Sequence, residues 1–360
     1  MDSLSGARIT DGVNILRRIR VKLVLPIAVG LAAIGIGAGV ALAGGKAAPI
    51  GQGSVVIETT LAYQDAAAAG TGIVLTSSGE VLTNNHVING ATTVKVVIPS
   101  SGKTYTARVV GYSKTADVAL LKLSNASNLK TLTLGSSARV SVGQTVRALG
   151  NAGGTGRISS ATGTITGLGK SITASDESGG SEQLVGLIET DAGIVAGDSG
   201  GPLLDSAGRV VGMNTAASAS GGFQMVAQSD AYAIPIGKAL TIVKQIENGK
   251  TSATVHIGAT AFLGVHVQSP AGYGGYPGDG SGGASGAQIA GVVDGGPAAA
   301  AGLVAGDIIT SVNGKTISTP SALSPIVLKL KPGAKVNVTY TDQFGTGQTV
   351  TVTLGSGPPQ

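Results

Sequence analysis

The sequence predicts a mainly β chain with two globular parts behind an apolar N-terminal segment. Its 360 residues suffice for about two domains. Glycine is abundant, with 59 residues, whereas aromatic residues make up only 3% of the chain. Short apolar runs recur between Gly, Ser and Asn, which is typical of barrels and sandwiches. A helical period is first visible at residues 238–246. These observations favour strands joined by many turns over long helices.

The N-terminal segment combines a basic stretch, residues 1–22, with an uncharged apolar run, residues 23–43. About 20 apolar residues suffice for a helix that spans a bilayer. Positive charge before such a span predicts a cytoplasmic N-terminus. We therefore expect a single-pass transmembrane helix in the cell membrane, with the body of the protein outside the cytoplasm. The alternative is secretion after signal cleavage at residues 41–43, although a signal core usually has only about 7–15 apolar residues.

The composition excludes several classes of function. The chain has no cysteine, so it has no disulfide framework, thiolate metal site or cysteine nucleophile. Much of the net charge of +5 lies in the N-terminal basic stretch, so no nucleic-acid partner is predicted. There is no P-loop and no clustered metal-ligand motif, so we expect neither a cofactor nor a metal.

A first globular domain is predicted over residues 54–247, after a small-residue linker at residues 44–53. Residues 77–80 read as a hairpin turn. The predicted strands of this domain include residues 55–57, 72–75, 81–83, 93–98, 104–112, 118–123, 145–149 and 159–168. The helical stretch at residues 238–246 closes the domain.

A serine in a glycine-rich turn is the strongest chemical signal in the chain. The string Gly-Asp-Ser-Gly-Gly-Pro occupies residues 197–202, and apolar strand residues follow it. Glycine permits a tight turn that aims the amides of Gly197 and Ser199 at one point, as a tetrahedral oxyanion requires. An ordinary surface turn would be the better interpretation of a lone Gly-X-Ser-Gly string, but not of these six residues followed by an apolar strand. Because a serine hydroxyl is a poor nucleophile without a base, a histidine and a carboxylate must lie elsewhere.

Two further strings supply that base and that carboxylate. His86 follows a strand-like run in Thr-Asn-Asn-His-Val-Ile, residues 83–88, and no other histidine occurs before residue 256. Asp117 directly precedes a strongly apolar strand, which would carry its carboxylate into a buried setting. The order His86, Asp117, Ser199 is that of a chymotrypsin-like triad. By that analogy Ser199 is the nucleophile, His86 the general base and Asp117 the group that orients the imidazole.

The chain resembles the HtrA/Deg family of trypsin-like serine proteases with a PDZ domain. The motifs that carry the resemblance lie at residues 70–76, 83–88, 116–123, 190–204 and 211–216, and the resemblance extends over residues 54–356. It implies a chymotrypsin-like double β-barrel protease domain, followed by a small α+β PDZ domain at residues 258–356. Asp198 departs from the asparagine that is more frequent in the family, and we expect its side chain to bond loop amides.

The same resemblance implies a substrate pocket. Its bottom is formed near Gly193, and its wall by Asn214, Thr215 and Ala216. None of these residues is acidic, so a buried Lys or Arg side chain would lack a partner. We therefore expect uncharged, small or medium aliphatic side chains in this pocket.

The second domain resembles a PDZ domain most closely at its peptide-binding loop. The loop and the strand that would bind a peptide correspond to Phe262, Leu263, Gly264 and Val265. The amides of this loop would bind the peptide C-terminus, and the edge of the adjacent strand would pair with the peptide. Pro297 suits the first turn of a short helix, and Asn313-Gly314 suits a tight hairpin. A helix is also predicted over residues 321–330. Residues 268–288 are interpreted as a featureless insertion.

These motifs together predict a serine endopeptidase that acts on misfolded or exposed polypeptides. The PDZ domain would bind peptide ends, and it would thereby regulate the protease activity or recruit substrates. The rival is a non-proteolytic chaperone-like or scaffold protein on the same fold, which the complete triad argues against. A homotrimer is common in the family, but nothing in these residues demonstrates one.

Overall fold

The computed structural model describes residues 51–175, 181–215, 231–270 and 285–360. The predicted basic stretch, membrane span and most of the linker therefore lie outside the described residues. Within those ranges, no helix combines the length and the apolar character needed to cross a membrane. Residues 47–360 group into one unit by their contacts.

The described strands outnumber the helices by far, as the composition predicts. The strands are β1 (Ser54–Leu61), β2 (Ala66–Val74), β3 (Glu80–Thr83), β4 (Thr93–Ile98), β5 (Lys103–Ser113), β6 (Val118–Leu123), β7 (Thr145–Gly150), β8 (Ser159–Ser175), β9 (Ser181–Thr190), β10 (Pro202–Asp205), β11 (Val210–Thr215), β12 (Ala231–Pro235), β13 (His256–Ile257), β14 (Thr260–Phe262), β15 (Val265–Gln268), β16 (Ala287–Val292), β17 (Ile308–Val312), β18 (Lys315–Thr316), β19 (Lys335–Thr341), β20 (Gly347–Thr353) and β21 (Gly355–Gly357). The α-helices are α1 (Asn85–Ile88), α2 (Ile236–Glu247), α3 (Pro297–Ala300) and α4 (Leu323–Val327). Single 3₁₀ turns occur at Ala62–Gln64, Ser137–Arg139, Ala152–Gly154 and Pro320–Ala322.

The first six strands close into an antiparallel barrel. Its order is β5-β4-β1-β2-β3-β6, and β6 pairs with β5 to complete the ring. Side chains alternate across such strands, so one face of each fills the barrel. Val55, Ile57, Val81 and Leu121 belong to this interior and are at most 1% exposed. Closure removes exposed sheet edges, although β13 adds to the outer side of β5.

A second antiparallel barrel follows, closed in the order β10-β11-β12-β9-β8-β7. Its interior contains Val146, Ile165, Ile188 and Leu203. A separate buried cluster joins the two barrels and the helix α2; it includes Leu82, Leu120, Leu149, Met213 and Val243. The chymotrypsin-like double barrel is therefore present. The three sequence strings of the predicted triad meet at the junction between the barrels.

His86 shows the main local difference from the sequence prediction. It lies on α1, a helix of a single turn, rather than at the end of a strand. A four-residue helix is too short to show a period of 3.6 residues, so the pattern of apolar residues does not reveal it. The strand predicted at residues 159–168 also continues to Ser175 in β8.

The PDZ part contains a sheet in the order β15-β16-β17-β19-β20, with β18 on β17, and a ribbon of β14 and β21. Asn313 (φ 49°) and Gly314 (φ 73°) form the predicted two-residue turn between β17 and β18. Pro297 begins α3, also as predicted. The helix predicted at residues 321–330 is shorter: a 3₁₀ turn leads into α4. Residues 271–284, most of the predicted insertion, lie outside the described residues.

The PDZ part contacts the first barrel through one aromatic stack and through hydrogen bonds. The ring of Phe262 stacks on Tyr63, with 5.2 Å between ring centroids. The amide of Gln360 donates to the hydroxyl of Tyr112 at 3.2 Å, and the amide of Gly90 donates to Pro359 O at 2.8 Å. β13 lies between the two predicted domains and pairs with β5 of the first barrel. The domain limits at residues 247 and 258 stay predictions.

Candidate active site

His86 and Asp117 form a hydrogen-bonded pair. Nδ1 of His86 lies 2.9 Å from Oδ2 and 3.1 Å from Oδ1 of Asp117. A carboxylate only accepts hydrogen bonds, so Nδ1 carries the proton and Nε2 is left as the basic nitrogen. The side chain of Asp117 is 5% exposed, whereas that of His86 is 42% exposed. The buried carboxylate therefore orients a base that remains open to solvent and substrate.

Two further donors hold the carboxylate of Asp117. The backbone amide of His86 donates to Oδ1 at 3.0 Å, and the hydroxyl of Thr215 donates to Oδ2 at 3.1 Å. A buried carboxylate needs such partners, because burial removes its hydration. The backbone of Asp117 has φ 53°, a left-handed conformation that aspartate adopts more readily than most residues. The apolar strand β6 begins directly after it and fixes its position, as the sequence predicts.

Ser199 is placed at the barrel junction by its backbone. Its carbonyl accepts from the amide of Thr71 in the first barrel at 2.8 Å, and the residue is 5% exposed. Gly70 lies between this serine and α1. A methyl group at Gly70 would lie 2.7 Å from Val87 and 3.3 Å from Ser199 O. The helix that carries His86 and the loop that carries Ser199 therefore approach Gly70 together, and only glycine leaves room for both.

The serine loop, residues 196–201, fixes the direction of two amides. The carbonyl of Ala196 accepts from Gly153 N at 2.8 Å, and the carbonyl of Asp198 accepts from Gly201 N at 3.0 Å. In a planar trans peptide the C=O and N–H point in opposite directions. The amides of Gly197 and Ser199 therefore point away from these two anchors. Gly197 has φ 95°, and an added Cβ would collide with the carbonyl of Asn151.

Asp198 lies within this loop and is buried. Its Oδ2 accepts from the amide of Val195 at 3.0 Å, which is the loop bond expected from the sequence. Its Oδ1 is buried without a hydrogen-bond partner in the described part of the chain. Burial raises the pKa of Asp198 above its ordinary value, and the hydrogen bond from Val195 offsets part of that rise.

The residues predicted to form the substrate pocket differ from one another in burial. Gly193 is exposed, with φ 60°. The side chain of Asn214 is buried and donates to Leu149 O at 3.0 Å, and that of Thr215 bonds Asp117. Ala216 lies outside the described residues. Both described wall residues are thus buried, at 0% and 1% exposed, and use their side chains for internal bonds.

The PDZ loop, residues 262–265, directs its amides by the same geometry. The carbonyl of Leu263 accepts from Ala298 N at 2.9 Å, and that of Gly264 accepts from Val293 N at 2.9 Å. The amides of Gly264 and Val265 therefore point away from these anchors. Gly264 has φ 83°, and Leu263 is buried in the PDZ core. Among the described strands, β15 pairs only with β16.

Thr71, Thr83 and Asn151 were not identified from the sequence, and they bond one another or the serine loop. Thr215 was predicted only as a wall of the substrate pocket, and its bond to the carboxylate of Asp117 was not foreseen. Thr71 lies in the Gly-Thr-Gly string of the first motif, which was the available signal. In the described ranges, no three His, Asp or Glu side chains gather closely enough to hold a metal ion.

Comparison with known proteins identifies two domains. The trypsin-like peptidase domain model matches residues 70–213, and the PDZ domain model matches residues 261–354. Serine protease PepD of Mycobacterium tuberculosis is 35% identical over 318 residues, which cover 84% of this chain and 63% of that protein. Serine protease Do-like HtrA of Lactobacillus helveticus is 37% identical over 276 residues, covering 75% of this chain and 64% of that protein.

A third relative is a probable periplasmic serine endoprotease DegP-like of Halomonas elongata. It is 34% identical over 290 residues, covering 80% of this chain and 56% of that protein. The chain thus spans less than two thirds of the length of these curated relatives. Among solved structures, the HtrA-type protease AlgW with a tripeptide is 30% identical, covers 86% of this chain and 95% of its own, and gives a TM-score of 0.47.

Proposed function

Because the chain belongs to the HtrA/Deg family of trypsin-like serine proteases with a PDZ domain, we propose that it is a serine endopeptidase. Its substrates would be misfolded or exposed polypeptides. The observation that supports this most directly is the buried Asp117 carboxylate that holds His86 beside the serine loop. Serine protease relatives do not favour the rival scaffold or chaperone-like function.

The proposed reaction proceeds by acyl transfer. Ser199 Oγ attacks the scissile carbonyl while His86 Nε2 takes its proton, and the imidazolium is stabilised by Asp117. The carbonyl oxygen becomes an oxyanion that accepts hydrogen bonds from the amides of Gly197 and Ser199. His86 then gives the proton to the leaving amine, which departs and leaves an ester on Ser199. A water molecule, activated by His86, hydrolyses that ester.

Specificity and recruitment belong to separate surfaces in this proposal. The pocket at Gly193 and residues 214–216 carries no charge, which suits small or medium aliphatic side chains. The PDZ loop at Phe262, Leu263, Gly264 and Val265 would receive a peptide carboxylate on the amides of Gly264 and Val265. A bound peptide can raise protease activity only if it binds the active conformation more tightly than the inactive one. Turnover of a short chromogenic peptide, with and without a PDZ-binding peptide, measures that coupling.

We also propose that residues 23–43 anchor the protein in the membrane with the protease outside the cytoplasm. Support comes from the preceding basic residues and from the word periplasmic in the name of the Halomonas elongata relative. Protease added to intact cells should remove an epitope fused after Gln360, and protection of that epitope would contradict the proposal. A secreted form would instead lack residues 1–43.

The proposed assembly is a homotrimer, and a monomeric mass by sedimentation would refute it.

The test of the proposed function is cleavage of casein by the wild-type chain and by Ser199→Ala. The alanine fits the space of the serine, so we expect an unchanged melting curve and no cleavage above background. The matched control is Ser206→Ala, which alters an exposed serine in the turn between β10 and β11. Cleavage that persists in Ser199→Ala would refute the assignment of the nucleophile. Absence of cleavage by the wild type would favour the scaffold.

A further inference from the structure

Thr71 contacts the serine loop from the opposite barrel. It lies on β2 and is completely buried. Its hydroxyl donates to the carbonyl of Gly197 at 2.7 Å, and its amide donates to the carbonyl of Ser199 at 2.8 Å. The two bonds bracket residues 197–199, the segment that contains both amides proposed to bind the oxyanion.

The hydroxyl of Thr71 acts as donor and acceptor at once. It accepts from the amide of Asn151 at 2.9 Å while it donates to Gly197 O. The carbonyl of Thr71 in turn accepts from the hydroxyl of Thr83 at 2.8 Å. These bonds connect the first barrel, the Asn151 turn and the serine loop. An apolar side chain of the same shape would remove the partner of the buried Asn151 amide and of the partly buried Gly197 carbonyl, which is costly.

The position of the Gly197 carbonyl oxygen restrains the direction of the neighbouring backbone amides. Gly197 contributes both this carbonyl and one of the two outward amides. Its φ of 95° is not restrained by a side chain, so external bonds must hold its backbone. Gly153 holds the peptide before Gly197, through Ala196 O, and Thr71 holds the peptide after it. With both peptides held, the amide direction of Gly197 is set before any substrate arrives.

We propose that Thr71 is a positioning residue of the oxyanion hole, whose hydroxyl holds the Gly197 carbonyl and thereby keeps the Gly197 and Ser199 amides aimed at the substrate. This inference rests on the proposed function. Thr71 does not itself touch the substrate, so its loss should weaken transition-state stabilisation while leaving ground-state binding intact. Complete loss of one oxyanion donor lowers kcat about 10²–10³-fold. Loss of a residue that only positions the donor should cost about 10–100-fold by the same scale.

The experiment compares Thr71→Val, which removes the hydroxyl at nearly constant shape, with Thr71→Ser, which keeps it. The control is Thr59→Val on β1, since Thr59 is also buried, at 3% exposed, and its hydroxyl donates to Ala68 O at 3.2 Å. The measurements are kcat and KM for a chromogenic peptide, the affinity of a peptide aldehyde, and the melting temperature. The aldehyde forms a hemiacetal whose oxyanion needs both amides.

For Thr71→Val we expect a fall in kcat of about 10–100-fold and an equal loss of aldehyde affinity, with KM changed less than about twofold. Thr71→Ser should recover most of the rate, and Thr59→Val should match the wild type. If Thr71→Val does not fold, Thr71→Ala and Thr71→Ser are compared at a temperature where both are folded.

Wild-type kcat and aldehyde affinity in folded Thr71→Val, or in folded Thr71→Ala in its place, would overturn the inference. So would a loss seen only in KM, or a Thr71→Ser variant no better than the variant without a hydroxyl. These outcomes leave the proposed function intact if the wild type still cleaves the peptide. A wild type that neither cleaves the peptide nor binds the aldehyde would refute both.

Discussion

The serine loop and the PDZ loop present amides by the same geometry but are held in different ways. Each contains a glycine at positive φ, Gly197 or Gly264, between carbonyls that are bonded away from the binding side. The serine loop depends on the other barrel and on the hydroxyl of Thr71. The PDZ loop is held by backbone amides of its own domain. The backbone of the serine loop is therefore bonded to a side chain of the other barrel, whereas the carbonyls of the PDZ loop are bonded to backbone amides.

The chemistry in front of each loop also differs. His86 and Asp117 supply a base beside the serine loop. In the PDZ loop, by contrast, Phe262 is packed on Tyr63 of the first barrel. Two amides without a nucleophile bind a carboxylate, whereas two amides beside an activated serine stabilise an oxyanion. The different functions that we propose for the two loops thus follow from the neighbours of the amides.

The largest expected effect that separates the two loops comes from Asp117→Asn. An asparagine would favour the wrong imidazole tautomer, so kcat should fall about 10⁴-fold, as in the chymotrypsin-type triad. Affinity of the PDZ domain for a peptide should stay unchanged. The measurement pairs peptide hydrolysis with peptide binding by fluorescence anisotropy.

The control for Asp117→Asn is Asp65→Asn, an exposed aspartate that also has positive φ, at 50°. Asparagine tolerates that conformation, so Asp65→Asn should leave both readouts at wild-type values. Equal losses of activity in the two variants would contradict the role of Asp117.

The second effect comes from matched substitutions in the two loops. Gly197→Ala should lower kcat about 10²–10³-fold, because the new methyl group collides with Asn151 O and displaces one oxyanion donor. Gly264→Ala should weaken peptide binding, since φ is 83° there, but should leave hydrolysis of a short chromogenic peptide unchanged. Both variants are assayed for hydrolysis and for binding. The comparison fails if each substitution affects both readouts alike.

A smaller effect concerns the pH dependence of stability at Asp198. Its folded-state pKa is raised by burial, so the neutral acid is favoured in the folded protein. This contribution to stability is fully present below the unfolded pKa and is lost as pH rises through the folded pKa. Asp198→Asn should therefore be more stable than the wild type at neutral pH. The difference should disappear at pH values below the ordinary carboxyl range.

Melting curves of the wild type and Asp198→Asn from pH 3 to pH 8 measure this effect. Asparagine keeps the acceptor for Val195 N, so activity should stay close to that of the wild type. A stability difference that grows towards acidic pH would show that the sign of the shift at Asp198 is wrong.

The smallest effect concerns the stack that joins the PDZ loop to the first barrel. Tyr63→Leu keeps an apolar side chain but removes the aromatic pair with Phe262, and we expect a loss of about 0.5–1.5 kcal/mol in the free energy of unfolding. Urea unfolding measures it. Phe344→Leu is the control, because Phe344 is 85% exposed on the β19–β20 turn. Indistinguishable unfolding curves for the two variants would refute the contribution of the stack.

The sequence predicts the site better than it predicts the bonds that hold it. His86, Asp117 and Ser199 are predicted together, because their three strings occur in the order of a chymotrypsin-like triad. The one-turn helix of His86 has no period to detect. Thr71 and Gly197 are 126 residues apart, and their hydrogen bond exists only because two closed barrels pack together. The orientation of Thr215 towards Asp117 has the same origin, since it depends on contacts between barrels.

The most direct test of the central claim is covalent labelling with a fluorophosphonate, followed by peptide mapping. The reagent phosphonylates a serine only when a neighbouring base activates it. We predict a single adduct on Ser199 in the wild-type chain and loss of that adduct in His86→Ala, with unchanged melting curves. No adduct on Ser199 in the folded wild type, or equal labelling in His86→Ala, would contradict the proposed serine endopeptidase.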